Sequence, residues 1–148
     1  PRDNELSSDI ASDMIAFFTD NLATLEAAGI ARERIAFDPG VGYSKNSDVY
    51  QDLAMMRAVE RLTVFKRPIM TAVSNKGWAK FLFDLPKDER SDLSLVAATE
   101  MYRLGAKILR VHDVKSARHM TSFVELLKNV DRLRVEVYPA FFPCTDVT

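Results

Sequence analysis

Three short apolar runs in this sequence each end in polar or charged residues of the kinds that bind ligands. Asp38 follows the first run, Ser74 and Lys76 follow the second, and Arg110 and His112 stand at the end of the third. In a parallel sheet the carboxyl ends of the strands open on one face, so these groups are expected to converge there. The sequence therefore predicts one ligand site built from three distant parts of the chain.

These residue types suit a ligand with one heterocyclic end and one anionic end. The carboxylate of Asp38 could accept two parallel hydrogen bonds from an amino-pyrimidinone edge, and its charge would strengthen them. Arg110 and His112 are two residues apart, so both point to the same side of a strand. The planar guanidinium and the imidazole N–H could then bind one phosphate group together.

Each of these residues also has a purely structural explanation. Asp38 precedes a Pro-Gly pair and could simply form a turn. Lys76 could be a solvated lysine at a helix start, and Arg110 could pair with an acidic neighbour. His112 and Asp113 could be a structural hydrogen-bonded pair. The occurrence of such groups at all three strand ends favours the ligand site.

Helical periodicity alternates with the apolar runs and predicts the elements that position this site. The predicted helices are 10–25, 48–62, 76–83, 92–104 and 115–128, and the predicted strands are 34–37, 68–73 and 107–111. The periodicity predicts that three of these helices each direct one row of apolar side chains toward the core. These rows are Val49, Leu53, Met56, Val59 and Leu62 in the second helix, Leu93, Val96, Ala97 and Met101 in the fourth, and Ala117, Met120, Val124 and Leu127 in the last. Ile35, Ile69 and Ile108 mark the three apolar runs and are 34 and 39 residues apart. This spacing indicates three βα units with parallel strands.

Composition excludes several classes of function. With 20 basic and 21 acidic residues, the net charge of -1 gives no general attraction to nucleic acid or to an anionic membrane. A single cysteine, Cys144, excludes an internal disulfide and a cysteine metal cluster, and no apolar run reaches the length of a membrane span. No glycine-rich nucleotide motif and no zinc-ligand spacing is present. We expect a cytoplasmic protein and, from the start at Pro1, part of a longer one.

Three motifs carry a resemblance to a known family. Asp38-Pro-Gly-Val-Gly-Tyr-Ser-Lys45, Ser74-Asn-Lys76 and Arg110-Val-His-Asp-Val114 resemble, in order and spacing, the DPGIGF.K, SRK and RVHDV motifs of dihydropteroate synthases. The similarity extends from about Ile10 to Leu127. It implies the C-terminal part of a (β/α)₈ TIM barrel, because three βα units cannot close an eight-stranded barrel of about 250 residues. Residues 1–128 would form this part and 129–148 an irregular tail, in which 133–138 could be an extra strand or rest on a partner.

The resemblance implies a reaction and a set of site residues. The implied reaction joins a pterin diphosphate to p-aminobenzoate. Mg²⁺ would accompany the diphosphate, and no metal ligand is assigned in this chain. The resemblance also implies a homodimer or self-association. Asp38 would grip the pterin ring, and Lys76 would contact the pterin and frame the aminobenzoate site. Arg110 and His112 would hold the diphosphate. The implied catalytic residues are Lys76, Arg110 and His112, and the implied substrate-binding residues are Asp38, Gly42, Tyr43, Ser74, Asn75, Lys76, Arg110 and His112.

Four positions depart from the family pattern. Asn75 replaces the usual arginine, Gly77 a serine, Tyr43 a phenylalanine and Ala72 a glycine, so a positive charge and a hydroxyl are lost near the aminobenzoate side. Two alternatives therefore stay open: a divergent paralogue that binds pterins without the standard turnover, and a non-catalytic half-barrel. A pterin-dependent methyltransferase of similar barrel type is disfavoured, because the pair at the third strand end suits a diphosphate.

Overall fold

The computed structural model describes residues 9–44 and 48–132. Within these ranges the elements in chain order are α1 (Ile10–Ala27), α2 (Val49–Leu62), β1 (Met70–Thr71), α3 (Trp78–Phe83), α4 (Ser91–Arg103), β2 (Ile108–Leu109) and α5 (Val114–Lys128), with one-turn 3₁₀ helices at Arg32–Arg34, Thr63–Phe65 and Lys87–Glu89. No helix in the described part combines the length and the hydropathy of a membrane span. Lys45, Cys144 and the 133–138 segment of the expected tail lie outside the described residues.

Aspartates cap three of the helices. The carboxylate of Asp9 accepts a hydrogen bond from the first turn of α1, that of Asp48 from the first turn of α2, and that of Asp113 from the first turn of α5. Such caps satisfy N–H groups that have no partner inside the helix. Gly105 follows α4 with φ +114°, a backbone conformation that residues other than glycine rarely adopt. The predicted starts of α1 and α2 and the predicted end of α4 are therefore confirmed.

The strands pair in parallel, as the spacing predicted, but the ladders are short. Met70 pairs with Ile108 and Thr71 with Leu109. The first predicted strand is reduced to one parallel bridge between Phe37 and Ile69. Its beginning is occupied by the 3₁₀ turn Arg32–Arg34, so only its last residues are extended. The order across the sheet is nevertheless Phe37, β1, β2, which is the order of three successive βα units.

The two sides of the sheet differ in burial because side chains alternate along a strand. Ile69, Thr71 and Val73 are almost completely buried, and the two aliphatic side chains belong to the main core cluster. The core also holds buried residues from the helices, from the segment around the Phe37 bridge and from two loops, namely Phe18, Leu22, Ile35, Phe37, Val41, Met55, Val59, Leu62, Trp78, Ala79, Ala98, Met101 and Ala106. Met70 and Ile108 project to the opposite side, where Ile108 is 42% exposed.

Three apolar side chains that the periodicity turned inward are exposed instead. Leu53 is 37% exposed, Val96 62% and Leu127 57%. In α2 the buried stripe runs through Asp52, so the adjacent Leu53 is rotated away from the core by about 100°. Leu53 and Val96 both line an apolar groove of about 530 Å³ beside α2, α3 and α4. The periodicity wrongly turned Leu53 inward because it counts only apolar residues, whereas the charged residue Asp52 occupies the buried face of α2.

Replacing Leu62 by alanine tests the position of the core. Leu62 is fully buried, so Leu62→Ala is expected to lower the free energy of unfolding by about 2–5 kcal/mol. The matched control is Leu127→Ala on the exposed side of α5, where a change within about 0.5 kcal/mol is expected. Urea denaturation followed by the fluorescence of buried Trp78 measures both. Equal losses in the two variants would contradict this core.

Candidate active site

A cavity of about 340 Å³ opens at the carboxyl ends of β1 and β2. It is lined by Tyr43, Ala72, Ser74, Lys76, Arg110, Val111 and His112. The structure therefore brings together predicted site residues from the loop after Phe37, from the end of β1 and from the end of β2. Its charged lining residues include Lys76 and Arg110 and no carboxylate, so the cavity favours an anionic ligand.

The register of the sheet explains why these side chains meet. Continuing the observed pairing places Ala72 level with Arg110 and Ser74 level with His112. The N–H of Arg110 donates to the carbonyl oxygen of Thr71 at 2.9 Å, which extends the ladder by one bond. Alternate residues of a strand share a side, so these four side chains lie on the side away from the main core.

Lys76 is held between Gly42 and the ring of Tyr43. Its Nζ lies 4.0 Å from the Tyr43 ring centroid, within the range of a cation–π interaction. Its aliphatic stem packs so closely on Gly42 that an added Cβ would lie 2.5 Å from Lys76 Cδ. Gly42 also has φ +87°, and its N–H donates to Asp52 Oδ1 at 2.9 Å. The predicted site residue Gly42 thus contacts Lys76 directly.

Asn75 forms the turn between β1 and α3. It has φ +56°, a left-handed conformation that asparagine tolerates better than most residues. Its N–H donates to Ser94 Oγ at 2.9 Å, and Ser94 Oγ donates to the carbonyl oxygen of Arg90 at 2.6 Å. Asn75 lines a separate polar cavity of about 80 Å³, next to the larger one. The structure therefore gives Asn75 a main-chain role, and its substrate contact stays a prediction.

Asp38 lies at the same edge of the sheet but is not among the residues that line the cavity of about 340 Å³. Its Oδ1 accepts a hydrogen bond from the N–H of Gly40 at 2.9 Å, and the side chain is exposed. Gly40 has φ +77° and completes the turn. The turn-forming explanation of Asp38 thus describes the observed contact. Its grip on a pterin ring stays a prediction.

Asp113 is a helix cap rather than the partner of His112. Its Oδ1 accepts from the N–H of Ser116 at 2.9 Å, and its Oδ2 accepts from Ser116 Oγ at 2.6 Å. These hydrogen bonds hold the pKa of the Asp113 carboxyl below its ordinary value. The Asp-x-x-Ser spacing before a helical pattern was the signal for this cap, and the sequence argument passed over it.

Two further residues, Asp52 and Ser94, support the site, and the apolar pattern of the sequence predicted neither of them. Both are at least 95% buried, and each accepts a hydrogen bond from a main-chain N–H of a site loop. The sequence signal that could have predicted these supports was a polar residue among the apolar residues of a helix's buried side. In the described residues no group of three or more His, Cys, Asp or Glu side chains could hold a metal ion.

Parallel βα units with a cationic cavity at the strand ends place this chain in the class of parallel α/β folds, with a candidate ligand site where that class binds its ligands. The sequence model described as "Pterin binding enzyme" matches residues 2–112, and the chain belongs to that family. The dihydropteroate synthase of Escherichia coli K12 is 31% identical over 117 residues, which cover 79% of this chain and 41% of that protein. A Mycobacterium bovis protein named inactive dihydropteroate synthase 2 is 31% identical over 104 residues, which cover 70% of this chain and 32% of that protein.

The fold agrees with solved structures of the same family. The structure of Yersinia pestis dihydropteroate synthase with a pterine-sulfa conjugate matches with a TM-score of 0.79 and 28% identity. The match covers 86% of this chain and 50% of that structure. The prediction of a partial (β/α)₈ barrel of the dihydropteroate synthase family is confirmed. The chain spans about two fifths of the length of the E. coli relative.

Removing the Ser94 hydroxyl tests the support of the Asn75 turn. Ser94→Ala leaves the N–H of Asn75 without its acceptor, so we expect amide hydrogen exchange at Asn75 to accelerate by roughly tenfold or more, given about 1–3 kcal/mol for a lost buried bond. Thr99→Ala is the control, because the Thr99 hydroxyl also donates to a carbonyl oxygen of α4, that of Leu95, but Thr99 does not line the cavity beside Asn75. Unchanged exchange at Asn75 in Ser94→Ala would contradict this support.

The pH dependence of stability tests the Asp113 cap. Because the folded pKa is lowered, the stabilisation is fully present above the unfolded-state pKa and is lost as the pH falls through the folded pKa. Asp113→Ala is therefore expected to have a lower melting temperature than the wild type at about pH 7. The difference in melting temperature should shrink toward about pH 2. Asp20→Ala, at an exposed position of α1, serves as the comparison. A melting difference that is independent of pH would argue against the charged cap.

Proposed function

We propose that the protein containing this chain binds a pterin diphosphate and p-aminobenzoate and joins them as a dihydropteroate synthase. The observation that carries the proposal is the meeting of Lys76, Arg110 and His112 in one cavity at the strand ends. Membership of the pterin binding enzyme family supports it, as do relatives named dihydropteroate synthase. The matched relatives are more than twice as long as the matched region, so the activity belongs to the whole protein.

The proposed reaction exchanges one bond at the pterin methylene carbon. The carbon–oxygen bond to the diphosphate breaks, and its electron pair leaves with the diphosphate. The amine of p-aminobenzoate attacks the resulting stabilised cation, forms the carbon–nitrogen bond and releases a proton. This chemistry depends on stabilising leaving-group charge and on positioning more than on a strong base. Arg110 and His112 supply N–H donors for the diphosphate at the end of β2.

Lys76 is proposed to contact the pterin. Its ammonium group lies over Tyr43 and lines the same cavity as Arg110. A pterin entering there would meet an aromatic ring, a cation and the hydroxyl of Ser74. The carboxylate of Asp38 is proposed to receive the amino-pyrimidinone edge. The proposed substrate-binding set is Asp38, Gly42, Tyr43, Ser74, Asn75, Lys76, Arg110 and His112.

Magnesium, the homodimer and a cytoplasmic location are proposed from the family resemblance alone. The lining of the cavity is cationic at Lys76 and Arg110, which fits phosphate oxygens rather than a divalent cation. The described residues contain no three-ligand acidic or histidine cluster. The residues that line this cavity thus do not fit Mg²⁺ directly, and we assign no step to the metal.

A non-catalytic pterin-binding paralogue is the second candidate. Asn75 and Gly77 stand where the family pattern has an arginine and a serine, and one relative of similar identity is named inactive. Isothermal titration with the pterin diphosphate separates the two candidates when it is combined with a product assay on the whole protein. Binding together with dihydropteroate formation supports the synthase. Binding without product, at saturating p-aminobenzoate, supports the paralogue.

Arg110→Ala tests the diphosphate site. We expect affinity for the pterin diphosphate to fall by roughly 10- to 100-fold, because a charged hydrogen bond contributes about 1.5–3 kcal/mol. Affinity for the pterin alcohol without diphosphate should change less than about threefold. Arg103→Ala on α4 is the matched control, since Arg103 is exposed and outside the cavity. Equal losses for both ligands would contradict the role of Arg110.

A further inference from the structure

A buried carboxylate lies behind the site and has no part in the proposed reaction. Asp52, in α2, is 4% exposed, and its neighbours on the buried stripe are Met55 and Val59. Burying a carboxylate is costly unless hydrogen bonds compensate. Its Oδ1 accepts a hydrogen bond from the N–H of Gly42 at 2.9 Å. A buried carboxyl group thus holds the main chain of a site loop.

Gly42 transmits this contact to Lys76. Its N–H is directed at Asp52, while the position of a Cβ on the same residue would lie 2.5 Å from Lys76 Cδ and 2.9 Å from Cγ. The loop main chain is therefore fixed on one side by the carboxylate and packs against the lysine stem on the other. A shift of Gly42 by a few tenths of an ångström would change the space available to Lys76.

The same loop also carries the ring that Lys76 contacts. Tyr43 follows Gly42 directly, and its N–H donates to the carbonyl oxygen of Gly40 at 3.1 Å. Lys76 Nζ lies 4.0 Å from the Tyr43 ring centroid. Both halves of this cation–π pair thus depend on where Gly42 lies.

We propose that Asp52 is a positioning residue: its buried carboxylate holds Gly42 so that the ammonium group of Lys76 stays over Tyr43 and inside the cavity shared with Arg110. Asp52 does not line that cavity. It acts only through the loop. The consequence for ligand affinity rests on the proposed function, whereas the consequence for the position of Lys76 does not.

A spectroscopic experiment on the full chain tests the position of Lys76. With ¹³C-labelled lysine, the ε-methylene signal of Lys76, assigned with Lys76→Arg, should be shifted upfield by the Tyr43 ring and should lose this shift in Tyr43→Leu. In Asp52→Ala we expect more than half of the shift to be lost. In Asp52→Asn, whose amide oxygen can still accept the Gly42 bond, we expect most of it to remain.

Met55→Ala is the matched control. Met55 lies on the same buried stripe of α2, so this variant should lower the melting temperature while leaving the Lys76 signal unchanged. If Asp52→Ala does not fold, Gly42→Ala replaces it, because the added Cβ should displace the lysine stem and reduce the shift in the same way. An unchanged Lys76 signal in a folded Asp52→Ala or in Gly42→Ala would overturn the proposal.

A binding measurement extends the test to the ligand. Asp52→Ala should bind the pterin diphosphate roughly tenfold more weakly, which corresponds to about 1.4 kcal/mol, while Met55→Ala should bind within about twofold of the wild type. If the whole wild-type protein binds no pterin, the proposed function loses support and the Lys76 signal still decides the role of Asp52. Equal weakening in Asp52→Ala and Met55→Ala would reduce Asp52 to a stability residue and overturn the proposal.

Discussion

The parallel pairing of β1 with β2 places residues from two distant parts of the chain at one end of the sheet. Met70 beside Ile108 sets Ala72 beside Arg110, and the bond from the Arg110 N–H to Thr71 carries the register to the edge of the cavity. A slip of one residue would turn every later side chain of a strand to the opposite side. Arg110 and His112 would then face the core, where unpaired charge is costly. The cationic cavity therefore depends on this register.

Two helices support the loops at the end of the sheet in the same manner. Asp52 of α2 accepts a hydrogen bond from the N–H of Gly42, and Ser94 of α4 accepts one from the N–H of Asn75. Both loop residues have a positive φ, so neither amide can enter a regular ladder at that point. A polar side chain from the helix layer provides the missing acceptor. The buried polar residues of α2 and α4 are thus explained by the backbone shape of the site.

Much of this arrangement could be predicted from the sequence. Helical periodicity and the spacing of the apolar runs predicted the order of elements and the parallel sheet. The polar groups at the strand ends predicted the meeting of Ser74, Lys76, Arg110 and His112, which the structure places in one cavity. These signals are local, or follow from a topology rule that applies to all parallel α/β folds.

The remaining features depend on particular hydrogen bonds that the periodicity of the sequence does not reveal. Asp52 is buried because Gly42, ten residues earlier, offers an N–H, and the exposure of Leu53 follows from that burial. Asp38 bonds within its own turn, and periodicity alone could not separate this from a ligand contact. Asp113 prefers Ser116 to His112 because a helix start offers unpaired donors at short range. In each case a specific hydrogen bond overrode a general tendency.

The fixed amides of Gly42 and Asn75 have a consequence for the thermodynamics of ligand binding. Since the main chain at Gly42 and at Asn75 is already held by helix side chains, entry of a ligand beside these two residues should restrict mainly the rotamers of long residues such as Lys76 and Arg110. The entropy lost on association would then come from a few side-chain torsions rather than from loop closure. A site organised in this way would change little in backbone shape between its empty and its occupied states.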